Sequence, residues 1–210
     1  MPRLLFHITH LNNLKGIIES KGLFSDSRVD ASGLAINGIA HNHIKERRLK
    51  TPVHIAPGGV VADYVPFYFA PRSPMLYAIH RGNVEHFSEG QEKIVYLVSN
   101  ATDVASKCNF CFTDGHATMV FTKFFHDINQ LENVVDWEIM KEKFWNDTDE
   151  DSDRKRRRQA EFLVKDFFPL ELIQYVGVFN NKYLSEVKSI FEQFEGCHHP
   201  NFLVKRNWYY

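Results

Sequence analysis

The chain has 210 residues, of which 44% are apolar and 24% charged, so it can bury a substantial core as one or at most two domains; we expect one domain spanning residues 1–210. A formal charge of −1 excludes the strongly basic composition of proteins wrapped in nucleic acid. No apolar run approaches the ~20 residues that cross a bilayer, and no signal peptide is recognisable at the N-terminus, so we expect a soluble, cytoplasmic protein.

The N-terminal part alternates short ordered segments with one long irregular segment. Residues 4–9 (LLFHIT) predict a buried strand, and the apolar residues of segment 11–18 recur at helical spacing. Residues 24–42 are rich in Ser, Asp, Gly and Asn, which predicts a loop long enough to require a function. Residues 44–50 (IKERRLK) predict a helix.

The remaining segments predict a mixed architecture. Residues 63–69 (DYVPFYF) predict a strand at a sheet edge or a bulge, because Pro66 lacks the N–H of a central strand. Further strands are predicted at 93–99, 110–112, 160–164, 175–179 and 202–205, and helices at 75–80, 100–106, 137–145 and 182–194. Because strands and helices do not alternate regularly, the predicted class is α+β around a mixed or antiparallel sheet.

Charge runs and cysteines offer few functional signals. The acidic run 147–153 and the basic run 154–158 are typical of solvated surface. Cys108 and Cys111 have CxxC spacing, but no second pair follows at zinc-finger distance, and Cys197 is remote. A structural zinc protein therefore stays a minor alternative. The chain has no G-x-G-x-x-G, P-loop, G-x-S-x-G or H-E-x-x-H motif, which disfavours the commoner nucleotide-binding and hydrolase folds.

A dispersed set of polar residues could carry chemistry. An imidazole and a hydroxyl at the end of a strand, as in His7 and Thr9, can bind the amide and ribose of a nucleotide. An arginine such as Arg48 can neutralise a diphosphate, and a carboxylate such as Glu161 can stabilise a cationic sugar. Each also has a structural explanation: a core histidine, a surface arginine, and an ion pair of Glu161 with the arginines that precede it.

The order of the motifs is more informative than any single residue. The chain contains HITHLxNLxGII, then ERR, then DYVPFYFxPRSPML, then FTDxH, then RQAEFLV. This order resembles the DarT family of DNA ADP-ribosyltransferase toxins, and the resemblance extends from Phe6 to the C-terminal Trp208-Tyr209-Tyr210. Residues 63–76 are its most specific piece.

The resemblance implies an ADP-ribosyltransferase fold, NAD as donor, and a base in single-stranded DNA, usually thymine, as acceptor. It also implies a macrodomain antitoxin of the DarG type as a partner. It places His7, Ile8, Thr9, Gly16, Phe24 and Arg48 at the NAD, and Arg48 with Glu161 as the catalytic pair. Residues 24–48 would then be a loop that closes over the donor, and residues 116–161 the loop that presents the acceptor.

For the DNA, rings and local charge should matter more than net charge, since bases stack on aromatic faces. Tyr64, Phe67, Tyr68 and Arg72 lie within one segment, although strand alternation predicts that some of these rings belong to the core. His116, on the acceptor side, is a further candidate. DNA-binding residues are therefore predicted at Tyr68, Arg72 and His116.

Two mechanisms are open for removal of the proton from the acceptor base. The resemblance assigns its removal to Arg48, but a guanidinium is effectively always charged in proteins. Arg48 could instead bind phosphate and stabilise the anionic base, with Glu161 or His116 assisting proton removal. Other acceptors, namely guanine, RNA ends or a protein side chain, remain alternatives, as does a non-catalytic module that binds nucleotides or single strands.

Overall fold

The computed structural model describes residues 3–33, 37–39, 41–85 and 87–210. The strands are β1 (Leu4–His10), β2 (Gly22–Phe24), β3 (Tyr64–Tyr68), β4 (Ile94–Asn100), β5 (Phe110–Thr113), β6 (Phe124–Phe125), β7 (Glu161–Lys165), β8 (Phe167–Pro169), β9 (Tyr175–Val178) and β10 (Asn201–Val204). The α-helices are α1 (Leu14–Glu19), α2 (Asp26–Ser32), α3 (Asn42–Lys50), α4 (Pro74–His80), α5 (Ala101–Lys107), α6 (Leu131–Val134), α7 (Trp137–Lys141), α8 (Arg154–Arg158) and α9 (Asn181–Glu192).

The main sheet has the strand order β10-β9-β4-β1-β3-β7-β5-β6, and β2 pairs with β8 in a small second sheet. Neighbouring strands of the main sheet are antiparallel, except for β9 and β10, which are parallel. The predicted α+β class with a mixed sheet is confirmed. Among the described residues, no helix is long and apolar enough to cross a membrane.

Apolar side chains cover both faces of this sheet. On β1, Leu5 packs in one hydrophobic cluster with Phe67 and Phe162, while Phe6 packs in another with Tyr96. This division follows from the alternation of side chains along a strand. β4 is buried along almost its whole length and corresponds to the predicted strand 93–99.

The predicted loop 24–42 is partly wrong, because it contains α2. Ser25 precedes this helix in an extended conformation, and Gly33 ends it at φ 66°, in the left-handed region that favours glycine. Since α2 buries none of its side chains, it has no apolar periodicity by which the sequence could reveal it. Residues 34–36 and 40 of the predicted loop lie outside the described residues.

Three further predictions need correction. β3 is not at a sheet edge, because it lies between β1 and β7. The predicted helix 137–145 ends at Lys141, and Trp145 instead packs into the hydrophobic core. The basic run 154–158 is not simply solvated surface: it forms α8, and Arg158 is only 4% exposed.

Candidate active site

A groove opens in the main sheet where β1 and β3 separate. The two strands share one residue pair, Phe6 with Tyr68, beyond which their ladder stops. There the His7 imidazole donates a hydrogen bond from Nδ1 to the backbone oxygen of Pro66 at 2.8 Å. In a strand, N and C=O of one residue point to the same side. The proline nitrogen therefore faces this gap, where no ladder bond is lost, which explains how an inner strand accommodates Pro66.

Two cavities of about 170 Å³ each make up this groove. The first contains Arg48, Tyr68 and Glu161, and the second contains Gly16 and the start of α2. They are continuous, since the same five residues line both: His7, Thr9, Asn13, Phe24 and Asp26. Of the six residues predicted at the NAD, all therefore line this groove, with Ile8 and Arg48 in the first cavity and Gly16 in the second.

A buried ion pair forms one end of the groove. Glu161 begins β7 directly opposite Tyr68, and Arg48 lies in the last turn of α3. Arg48 Nη1 donates to Glu161 Oε2 at 2.8 Å, and the two residues are 7% and 4% exposed. The fold thus joins two residues that are 113 positions apart in the sequence.

Each partner holds the other in its charged form. Burial alone would raise the pKa of the Glu161 carboxyl, but the charge of Arg48, its hydrogen bond to Glu161 and the backbone N–H of Ala117 hold that pKa below its ordinary value. Burial would likewise lower the pKa of the Arg48 guanidinium, but its attraction to Glu161 raises that pKa further. At neutral pH the site therefore contains a carboxylate and a guanidinium cation.

Arg48 has unused hydrogen-bonding capacity. Its Nε and Nη2 are buried and have no hydrogen-bond partner among the described residues. Unpartnered buried donors are costly, and a guanidinium binds phosphate oxygens well. These two nitrogens therefore fit an anionic ligand that enters the groove without breaking the pair with Glu161.

Glu161 is also held by the loop that follows β5. The N–H of Ala117 donates to Glu161 Oε1 at 3.0 Å. The hydroxyl of Thr113, at the end of β5, accepts from the N–H of Glu161 at 2.9 Å and donates to the backbone oxygen of Gly115 at 2.6 Å. Thr113 is fully buried and thereby joins β5, β7 and the loop at the carboxylate.

Hydrogen bonds determine which nitrogen of each histidine carries a proton. His116 Nδ1 accepts from the N–H of Thr118 at 3.2 Å, so its Nε2 carries the proton in the neutral ring. In His7 the proton is on Nδ1, because the oxygen of Pro66 can only accept, and Nε2 has the free lone pair. Burial lowers the pKa of both rings, so both are neutral at pH 7.

The aromatic residues of segment 63–69 have different surroundings. Tyr64 and Phe67 are completely buried, so these two rings are core and not platforms for bases. Tyr68 is half-buried and lines the first cavity. Burial, followed by the negative charge of Glu161, raises the pKa of the Tyr68 hydroxyl, which therefore stays neutral.

Arg72 lies outside the groove, at a third cavity of about 610 Å³. Its Nε donates to the backbone oxygen of Tyr209 at 2.9 Å. Lys143 and Arg206 supply further positive charge to this cavity, and its aromatic side chains are Tyr77, Phe144, Trp145, Tyr209 and Tyr210. Phe144 is 77% exposed. The cavity thus combines cations with rings.

Several residues near these cavities escape prediction from the sequence. Asp26 and Asn13 line both parts of the groove. Asn13 is part of the motif HITHLxNLxGII, whereas nothing in the local sequence marks Asp26. Arg158, buried by α8, donates to the backbone oxygen of Pro71 at 2.7 Å and so supports the turn that contains Arg72. Arg158 is the first residue of the motif RQAEFLV, so only Asp26 depends entirely on knowledge of the tertiary contacts.

The described residues contain no group of three or more His, Cys, Asp or Glu side chains that could hold a metal ion. Cys108, Cys111 and Cys197 are free thiols. Burial raises the pKa of the Cys111 thiol to about 12, which opposes a thiolate there at neutral pH. Of the CxxC pair, Cys111 lies in β5 and Cys108 lies shortly before this strand.

Comparison with known proteins gives consistent matches over the chain. The family model "ssDNA thymidine ADP-ribosyltransferase, DarT" matches residues 6–210. A DNA ADP-ribosyl transferase of Thermus aquaticus is 42% identical over 211 residues, which cover 100% of this chain and 90% of that protein. A DNA ADP-ribosyl transferase-DNA ADP-ribosyl glycohydrolase fusion protein of Thermosipho africanus is 24% identical over 188 residues, covering 89% of this chain and 45% of the fusion.

Solved structures agree with this result. Thermus sp. 2.9 DarT in complex with ADP-ribosylated ssDNA matches at a TM-score of 0.92 and 39% identity, covering 100% of this chain and 97% of that chain. The same protein in complex with NAD+ matches at a TM-score of 0.89 and 38% identity, covering 100% and 98%.

Proposed function

This chain belongs to the DarT family of ssDNA thymidine ADP-ribosyltransferases, and from this premise we propose that Arg48 and Glu161 transfer ADP-ribose from NAD to thymidine in single-stranded DNA. The observation that supports this assignment is the buried Arg48–Glu161 pair at the end of the groove, with two guanidinium nitrogens free. We further propose that residues 1–210 act as one ADP-ribosyltransferase domain.

The groove suits a dinucleotide donor. Arg48 would bind the diphosphate, while Nε2 of His7 would accept a hydrogen bond from a donor hydroxyl or amide. Thr9 accepts from Asn13 at 3.0 Å, which leaves its own hydroxyl proton free to donate. Ile8 and Phe24 supply apolar walls, and Gly16 leaves open space, since a Cβ there would meet no atom within 4 Å.

Glu161 would stabilise the positive charge that develops on the donor ribose as the bond to nicotinamide breaks. A buried carboxylate held by Arg48 and Ala117 is fixed in position before the reaction, so little reorganisation is needed. This interaction strengthens as positive charge grows, and for that reason it accelerates the bond cleavage.

The same carboxylate can take the proton of the acceptor. As thymine N3 bonds to the ribose carbon and nicotinamide leaves, the N3 proton must pass to an acceptor. Arg48 is a cation whose pKa is raised, and the Nδ1 lone pair of His116 already accepts from Thr118. Both Glu161 oxygens have further lone pairs, so Glu161 takes the N3 proton as the new bond forms, and Arg48 stabilises the negative charge that develops on the base during this transfer.

The single-stranded DNA would approach from the side of Tyr68 and His116. Tyr68 lines the donor groove, and the protonated Nε2 of His116 can donate to an acceptor base. Arg72 would bind a phosphate of the flanking chain at the third cavity, whose exposed Phe144 offers a ring for stacking. Binding of DNA would thus depend on local charge and rings.

The biological setting follows from the family. We propose that the protein is a toxin that acts in the cytoplasm, where NAD and DNA are both available, and that a macrodomain antitoxin removes its modification. The Thermosipho africanus fusion, which joins a DNA ADP-ribosyl transferase to a DNA ADP-ribosyl glycohydrolase, supports such a partner.

The decisive experiment is mass spectrometry of oligonucleotides after incubation with NAD. We expect an ADP-ribose adduct on thymidine, no adduct with Glu161→Gln, and a normal amount with Glu171→Gln, an exposed carboxylate outside the groove. Loss of one such electrostatic group typically lowers turnover by ~10² to 10³. An adduct on guanine, RNA or protein would replace the proposed acceptor. Full activity of folded Glu161→Gln would refute the catalytic pair.

A further inference from the structure

The direction of the donor in the groove follows from the position of the charges. Bond cleavage requires the nicotinamide ribose beside Glu161, and the diphosphate then lies at Arg48. Both residues line the first cavity and neither lines the second. The adenosine half of the donor must therefore extend toward the second cavity, where Gly16 leaves room in the middle of α1.

Asp26 is the charged residue at this junction. It lines both cavities, and its negative charge reaches Arg48 and His7, where it acts to raise the pKa of each. The cations of the groove, Arg48 and Lys45, line the first cavity only. Since no Lys or Arg is among the described residues that line the second cavity, it offers no counter-charge for a phosphate group.

Nicotinamide dinucleotides differ at the adenosine ribose, where NADP has a 2′-phosphate and NAD a hydroxyl. A carboxylate accepts hydrogen bonds from ribose hydroxyls and repels a phosphate, whereas sites for the 2′-phosphate supply an arginine. We propose that Asp26 makes this enzyme selective for NAD over NADP by accepting from the adenosine ribose. The inference rests on the proposed function and adds to it the residue that selects the donor.

A structural role alone makes a different prediction. Asp26 is the first residue of α2, where a negative charge also favours the helix dipole. Its replacement by asparagine could then lower stability, but it would change the use of NAD and NADP to the same extent. The ratio between the two donors separates selectivity from stability.

The test compares the wild-type protein with Asp26→Asn and with Asp30→Asn, an exposed residue of the same helix that lines neither cavity. The ratio of kcat/KM for NAD to that for NADP is measured by mass spectrometry of the modified oligonucleotide, in which NADP leaves an adduct with one additional phosphate. We expect Asp26→Asn to lower this ratio by about tenfold or more, because like-charge repulsion is removed. Asp30→Asn should leave the ratio unchanged.

Binding without DNA gives a second readout that does not depend on transfer. The rise in Tm on adding NAD or NADP is measured for the three proteins, and Asp26→Asn should gain a response to NADP. Unchanged donor ratios in both measurements, with NAD still bound by the wild type, would overturn this inference alone. If the wild-type protein bound neither dinucleotide, both the proposed function and this inference would fail.

Discussion

The most informative residues are the two that neutralise each other inside the groove. Arg48 and Glu161 have no solvent to stabilise their charges, so each depends on the other. Because Glu161 titrates at a lower pH in the folded protein than in the unfolded chain, the ion pair makes stability depend on pH.

We therefore expect Glu161→Gln to lower the free energy of unfolding by about 3–5 kcal/mol near neutral pH, as for other buried pairs that lose one partner. A group with a lowered folded pKa stabilises fully above its unfolded pKa and loses this contribution as the pH falls. Below the ordinary Glu161 value of 4.5 the two proteins should therefore converge in stability. Denaturant titrations from pH 7 to pH 3 measure this; a difference that stayed constant would contradict the lowered pKa.

Sequence alone could not reveal this pair. Arg48 lies in the segment ERRLK, which is typical of a solvated helix, and Glu161 follows a basic run that could have paired with it. Only the family resemblance joined the two, and only tertiary structure could show that Arg48 keeps two free nitrogens. Conversely, the sequence did not distinguish Tyr64 and Phe67 from rings that could stack on bases. In the structure both faces of the sheet are covered, and the two rings are buried in the core.

At the level of elements, β5, β7 and the loop that follows β5 meet at one hydroxyl. Thr113 holds the N–H of Glu161 and the backbone of Gly115 together. Gly115 itself allows Arg156 to approach, since a Cβ there would lie 2.3 Å from Arg156 Nη1. The position of the Glu161 carboxylate is thus determined by contacts between elements.

Thr113→Val tests this arrangement, because valine keeps the shape and removes the hydroxyl. The N–H of Glu161 would lose its partner, which costs about 1–3 kcal/mol of stability, and the carboxylate would be less well positioned. We expect kcat to fall by about tenfold or more with little change in KM for NAD. Thr102→Val, at an exposed threonine of α5, is the control. Undiminished kcat would show that the loop is positioned by other contacts.

Replacement of Gly16 in α1 should have opposite effects on stability and on the use of NAD. Glycine inside a helix costs about 0.5–1 kcal/mol relative to alanine, so Gly16→Ala should stabilise the protein by about this amount. The added methyl group would point into the donor groove, so KM for NAD should rise. Lys15→Ala, on the exposed side of the same helix, should leave KM unchanged. A stabilised variant with the wild-type KM would exclude Gly16 from the donor site.

The elements differed in how well the sequence predicted them. β4 and α3 were predicted almost to the residue, because burial or helix propensity dominates their composition. α2 was missed, as it buries no side chain, and helix 137–145 was too long because Trp145 leaves the helix to pack in the core. The prediction that β3 lies at a sheet edge, which was based on Pro66, was wrong. β3 is an inner strand, and Pro66 faces the gap between β1 and β3.

For the whole molecule, a formal charge of −1 means that binding of DNA must rely on local features. The third cavity gathers three cationic side chains and five rings from distant parts of the chain, including the C-terminal residues. Such a surface can hold a single strand by stacking and phosphate contacts together.

We expect Phe144→Ala to weaken binding of single-stranded DNA by about 1–3 kcal/mol, the usual contribution of one stacked base, without changing the affinity for NAD. Fluorescence anisotropy with a labelled oligonucleotide measures the first quantity and calorimetry the second. Val204→Ala, an exposed apolar residue on β10, is the control. Equal DNA affinity of the two variants would argue that the strand follows another path.

Pro66 also limits how far β1 and β3 can pair. A longer ladder would need backbone N–H donors and oxygen acceptors beyond the pair of Phe6 with Tyr68. Because a proline ring has no N–H, such an extension would lack one of its hydrogen bonds. The His7 imidazole already binds the backbone oxygen of Pro66, so a side chain takes the place of the next ladder partner.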